Sequence, residues 1–301
     1  MSSESGSGSA ALEEPDETVP KAARRRHEHA PGSVSILSTI VRRELHTVAR
    51  TPTFSVLAAS LTVVLLGVAW AGGGVRAGYV PTIVDLLTPL ELLVPIVAVA
   101  FGYRAILADT RRGELEVLRT YPVSAWQVVL GVYVGRAAGL VVAIVGPLLA
   151  VFAAVALTER ETIRIYATHA GADSPLLFLR LIVLAAVFGL VVLAVAVAIS
   201  AVASTARSAL ALTVIALLGV LLAGDLAIVY GFSAGFISDG SLIYTLALSP
   251  LSAFRGLVLE TAVIAASGPG PRTASPIASL LGLALWTVAS LAVATVAVDR
   301  V

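Results

Sequence analysis

Phe54-Ser-Val-Leu-Ala-Ala-Ser-Leu-Thr-Val-Val-Leu-Leu-Gly-Val-Ala-Trp-Ala-Gly72 decides the fold, because it runs 19 residues without one charged side chain. At 1.5 Å per residue a helix of that length reaches about 28 Å, close to the ~30 Å hydrocarbon thickness of a bilayer. The same template then finds five more matches: Leu86–Leu107, Val132–Leu157, Leu176–Ser200, Leu210–Tyr230 and Ile277–Val298. The sequence therefore predicts an all-α integral membrane protein with about six transmembrane helices.

Composition agrees. Apolar residues make up 58% of the 301 and charged residues 13%, too little polar surface to cover a water-soluble body of this size. Residues 1–33 are rich in Ser, Glu, Gly, Pro and Arg and contain no apolar run, so they read as a disordered tail and not as a signal peptide. The net charge of +1 conceals a basic N-terminal region. With the N-terminus inside, the cytoplasmic side holds Lys21, Arg24, Arg25, Arg26, Arg42, Arg43, Arg50, Arg104, Arg111, Arg112, Arg119, Arg136, Arg207 and Arg300. The outer side holds Arg76, Arg160, Arg164, Arg180, Arg255 and Arg272. Fourteen against six places both termini in the cytoplasm of a plasma-membrane protein by the positive-inside rule. The outer segment 231–276 is where a further span would overturn that count.

Several chemistries are excluded. There is no cysteine, hence no disulfide, thiolate metal site or cysteine nucleophile. The only lysine is Lys21, which removes a P-loop; the run Gly72–Gly74 lacks the basic and hydroxyl residues that would follow in one. His27, His29, His46 and His169 form no His-Glu-x-x-His pattern. No catalytic residue, resident metal or cofactor is expected, and nothing points to nucleic acid. With a single Met and few aromatics, no soft-metal path or sugar-stacking tunnel is marked either.

Between the tail and the first span, residues 34–52 predict an amphipathic interfacial helix, with Leu37, Ile40, Val41, Leu45 and Val48 on one face and Arg42, Arg43, His46 and Arg50 on the other. The remaining body is 53–301, with a cytoplasmic loop at 108–127. In that loop Leu115 and Leu118 form a short apolar stripe, Pro122 stops the helix, and Ser124 caps the next one. Such a loop is shaped for docking a protein, although short membrane loops are also amphipathic for solubility alone. Asp85, Glu91 and Asp225 are the acids at or within spans. An intramembrane acid is costly and a functional candidate, so Glu91 and Asp225 are candidates for a translocation pathway; the competing reading is a carboxylate protonated or hydrogen-bonded to a neighbouring helix. Gly135 and Gly139 form a small-x-x-x-small pair suited to close packing, including a homodimer interface, in a chain where glycine and alanine are abundant enough to produce such pairs by chance.

The stretch Asp109 to Tyr133 resembles the loop after the second span in permease subunits of type-2 ABC exporters. That loop reads as an acid, basic residues, Gly-Thr-Leu-Glu, a short leucine-bearing helix, Pro-Val-Ser and a Gly-Lys pair. Asp109, Arg111, Arg112, Gly113, Leu115, Glu116, Leu118, Pro122, Val123, Ser124 and Gly131 fit it, while Glu114 replaces the usual threonine and Val132 the usual lysine. Ser249-Pro250-Leu251-Ser252-Ala253-Phe254-Arg255 also resembles a segment of the subgroup related to the permease of the nitrous-oxide-reductase maturation system. The resemblance spans roughly Val34 to Val301. It implies that the loop is a coupling helix, with Asp109, Arg111, Arg112, Gly113, Glu114, Leu115, Leu118, Arg119 and Pro122 serving a separate P-loop ATPase subunit that binds ATP and magnesium. It also implies a second permease copy. Two other classes stay open on the residues alone: a membrane scaffold or sensor docking a soluble partner through 108–127, and an ion-coupled secondary transporter using Glu91 and Asp225. The latter would show an internal repeat with broken spans, and no convincing repeat is visible.

Overall fold

A computed structural model describes residues 33–113, 123–159, 173–267 and 274–300, and every regular element among them is helical. The elements are α1 (Ser33–Arg50), α2 (Pro52–Ala71), α3 (Tyr79–Gly102), α4 (Ala125–Leu157), α5 (Pro175–Val202), α6 (Ala206–Ser233), a bent pair α7 (Gly240–Leu248) and α8 (Pro250–Ile264), and α9 (Pro276–Arg300). Beyond a break at Tyr103–Ile106, α3 continues as the short helix Leu107–Arg111. Apolar solvent offers the backbone no partners, so charge-free runs must close their own hydrogen bonds as helices. Local punctuation fixes where they start. Hydroxyl-proline pairs open four of them, at Thr51-Pro52, Ser174-Pro175, Ser249-Pro250 and Ser275-Pro276, and the serines accept from Leu176 N, Ser252 N and Ala278 N.

All six predicted spans are present as helices long and apolar enough to cross a membrane. The most central is α5: 61% of its apolar window is buried, against 17% for α2 and α6 and 22% for α9, so those three form the rim. Against α5 pack α3, α9 and α4.

The region 231–276 holds the element that the sequence left open. Its two limbs α7 and α8 bend by 119° at Ser249. Neighbours at known heights show where the bend lies. Trp286 Nε1, midway along α9, donates to the Leu248 carbonyl at 2.9 Å, while Arg180, near the start of α5, donates to the Thr261 carbonyl at 2.6 Å. The turn therefore sits at mid-height of the bundle and the far end of α8 returns to the end at which α5 begins. The pair enters and leaves at one end, which keeps the number of crossings at six and the end of α9 at the opposite end.

At that opposite end, α1 pairs with α4 in parallel register. Ile40 faces Gly131, Glu44 faces Gly135 and Val48 faces Gly139, four residues apart on each helix. A Cβ on Gly131 would stand 2.6 Å from Ile40 Cγ2, so only glycine lets the backbones approach this closely. The pair read as a possible interface between copies is thus filled within the chain. The predicted apolar face of α1 needs correction too: Leu45 is exposed at 39%, while Glu44 is buried at 3%. A leucine at Gly135 would drive into Glu44 and the Val41 carbonyl. It should cost about 1–3 kcal/mol by overpacking and release α1. Limited trypsin cleavage after the exposed Arg42 and Arg50 should accelerate in Gly135→Leu and not in Gly146→Leu, where a side chain meets open space.

Candidate functional site

The first candidate begins where α3 breaks. Tyr103–Ile106 leaves the helical ladder, and Ser200, at the last turn of α5 and 1% exposed, closes the gap: its Oγ accepts from Ile106 N at 2.9 Å and Leu107 N at 3.1 Å. In the short helix that follows, Leu107 and Asp109 are buried. Asp109 Oδ2 receives Arg43 Nη2 of α1 at 2.6 Å, and the same nitrogen lies 3.1 Å from Glu44 Oε1. Burial works against the charge on Arg43, yet Asp109 first and Glu44 second outweigh it and hold the guanidinium above its ordinary pKa. Arg111 and Arg112 are exposed, and Gly113 turns the chain at φ +70°, a conformation that favours glycine. Glu114, Leu115, Leu118, Arg119 and Pro122 lie outside the described residues. The chain resumes at Val123; Ser124 stands in extended conformation at the head of α4, its N–H donating to Gln127 Oε1 at 2.9 Å.

Both ends of the loop are therefore fixed. Arg136 of α4 completes the frame: Nε meets Glu44 Oε2 at 3.1 Å and Nη1 donates to the Phe101 carbonyl at 2.6 Å. Arg43, Glu44, Arg136 and Ser200 were absent from the sequence-level site. A glutamate embedded in a basic helix reads as solvated, and only the spacing of Glu44 between Ile40 and Val48 hinted otherwise.

The second candidate lies within the bundle. Glu91 of α3 is 5% exposed and forms a two-pronged pair with Arg255 of α8, Oε1 to Nε at 2.6 Å and Oε2 to Nη2 at 2.5 Å. Asp225 of α6 accepts on Oδ1 from Ser249 Oγ at 2.7 Å and Ser252 Oγ at 2.6 Å. Ser249, Ser252 and Arg255 are spaced three residues apart along α8 and its cap, so one helix gathers both acids. A π-helical turn at Gly219–Ala223, just before Gly224-Asp225, re-aims α6 at this point. Phe188 and Phe254 stack with centroids 4.7 Å apart and hold α8 against α5. The reading of these acids as hydrogen-bonded to neighbouring helices is the one their geometry matches. Asp85 accepts instead from Gly74 N at 3.1 Å, in the turn between α2 and α3.

A family model described as ABC-2 family transporter protein matches residues 7–301. Among curated relatives, a probable ABC transporter permease protein NosY of Pseudomonas aeruginosa is 31% identical over 274 residues, covering 86% of this chain and 96% of the relative. A protein of the same description from Stutzerimonas stutzeri is 32% identical over 110 residues, 35% of this chain and 39% of the relative.

Proposed function

The chain belongs to the ABC-2 family of transporter proteins and is related to NosY, and we propose that it works as the membrane permease of an exporter driven by a separate P-loop ATPase subunit. The supporting observation is the bracing of the loop 108–127 at both ends: the buried carboxylate of Asp109, held by the half-exposed Arg43, at one side, and a capped helix at the other. A loop that merely keeps a surface soluble gains nothing from burying a carboxylate against another helix, whereas a lever must not bend at its roots. On this reading ATP and magnesium belong to the partner, Glu114, Leu115, Leu118 and Arg119 face it, and two permease copies share the plasma membrane with their termini in the cytoplasm. Glu91 and Asp225 then serve the pathway as the anchors of the re-entrant pair, so the movement of α3 and α6 is conveyed to the outer opening.

Co-purification in mild detergent from native membranes tests this. Wild type should bring down a P-loop ATPase, and a Glu114→Arg, Leu118→Asp double variant should recover at least tenfold less while its own yield in the membrane is unchanged. No ATPase with either form, alongside another soluble partner, overturns transport in favour of a scaffold.

A further inference from the structure

Three features of α1 bear on one another. The first is the ladder on α4: Gly131, Gly135 and Gly139 repeat every four residues and offer three nearly equivalent sockets to Ile40, Glu44 and Val48. A slip of four residues, about one turn, would still seat two of the three on glycines, with Val48 at Ala143 or Ile40 at Gln127. The second is Glu44 itself, a carboxylate 3% exposed in the middle of that seam. Third, its oxygens touch Arg43 and Arg136, and through them reach both sides of the break in α3: Arg136 holds the Phe101 carbonyl before it, and Arg43 holds Asp109 beyond it. In a slipped register Glu44 would lie against Gly131 or Gly139, a full turn away from Arg136 and buried without that partner.

We propose that Glu44 is a positioning residue that locks the register of α1 on α4, so that α1, the end of α3 and the root of α4 move as one body when the coupling loop is driven. A single polar group at an otherwise apolar helix seam is known to fix register at some expense of stability, which is what a buried carboxylate does here. The coupling role rests on the exporter reading above; the register lock does not.

The native chain has no cysteine, so spin labels are placed without background: Arg42→Cys on the exposed face of α1 and Leu149→Cys on the exposed face of α4, read by pulsed electron resonance in lipid nanodiscs. With labelled chains diluted in an excess of unlabelled copies and Glu44 present, one distance within the chain is expected, unchanged between the nucleotide-free complex and the complex trapped with ATP and vanadate. Glu44→Leu should add a second population displaced by about one helical turn, and ATP turnover by the bound ATPase should fall at least fivefold with the ATPase still attached. Glu44→Gln, whose amide oxygen still accepts from Arg136, should keep the single distance. Should Glu44→Leu fail to reach the membrane, Arg136→Gln is read in its place with the same expectation of a second population. A single unshifted distance in the variant that is read shows that packing alone sets the register and overturns the lock. Slippage with unchanged turnover overturns the role in coupling. If wild type carries no ATPase, the exporter reading fails and takes that role with it, while the distances still decide the lock.

Discussion

Replacing Arg255 with alanine is expected to destabilise the bundle by on the order of 3 kcal/mol. The reason lies in the asymmetry of the pair. The Arg255 side chain is 47% exposed, so its own desolvation is modest, but the Glu91 side chain is 7% exposed and would keep a buried charge with its cation gone. Changing Glu91 to Gln as well removes that stranded charge, so the double variant should recover most of the loss. Arg255→Lys should fall between, because an ammonium cannot reproduce two parallel hydrogen bonds to one carboxylate. A double-mutant cycle on thermal inactivation in nanodiscs measures the coupling directly. Strictly additive losses at Glu91 and Arg255 would show that the pair holds nothing together. The consequence extends beyond stability, since α8 is tied to α3 by this pair, to α6 by Asp225 and to α5 by Arg180. Loosening the first tie should leave the re-entrant turn attached to α6 while its link to α3 is lost.

The spans were legible because each is a local property: a long apolar run with at most two charges, ended by a polar or proline signal, needs no partner to be recognised. The re-entrant pair was not legible for the converse reason. Its limbs of 9 and 15 residues are too short to span singly, and Arg255 interrupts them at a point where only Glu91, 164 residues away in sequence, makes the charge tolerable. Ser249 to Arg255 drew notice as a resemblance, and Glu91 and Asp225 as costly acids, yet no sequence spacing joins them. The same distance hid the use of the glycines. Gly135 and Gly139 are visible as a pair, but Gly131 extends the pair into a ladder only once α1 is folded back on α4. Glu44 was obscured by its neighbours: between two arginines and a histidine it reads as surface, and burial by Arg136 is a fact of tertiary structure alone.

Ser200→Val is expected to do comparable damage, at the junction between the bundle and the loop that follows α3. Valine adds one heavy atom to serine, as threonine does, so comparison with Ser200→Thr cancels the added bulk; what disappears in valine is the oxygen that receives two buried backbone donors, Ile106 N and Leu107 N. Each orphaned donor costs about 1–3 kcal/mol when no water can reach it, and Ser200 at 1% exposure, beside fully buried Ala105 and nearly buried Ile106, leaves no room for one. A total of about 2–6 kcal/mol follows if the break at Tyr103–Ile106 holds its shape. If the break relaxes instead, it does so by straightening the end of α3, which swings the following turn and pulls Asp109 away from Arg43. Either route predicts the same comparison: Ser200→Thr keeps the oxygen and should behave much like wild type, whereas Ser200→Val should lose thermal stability and, on the exporter reading, recovery of the proposed ATPase. Hydrogen exchange at Ile106 and Leu107 separates the two routes, with protection lost at these two amides alone if the break is rigid and across Leu107–Arg111 if it straightens. Protection and stability unchanged in Ser200→Val would mean that the junction is held by its packing and not by this serine.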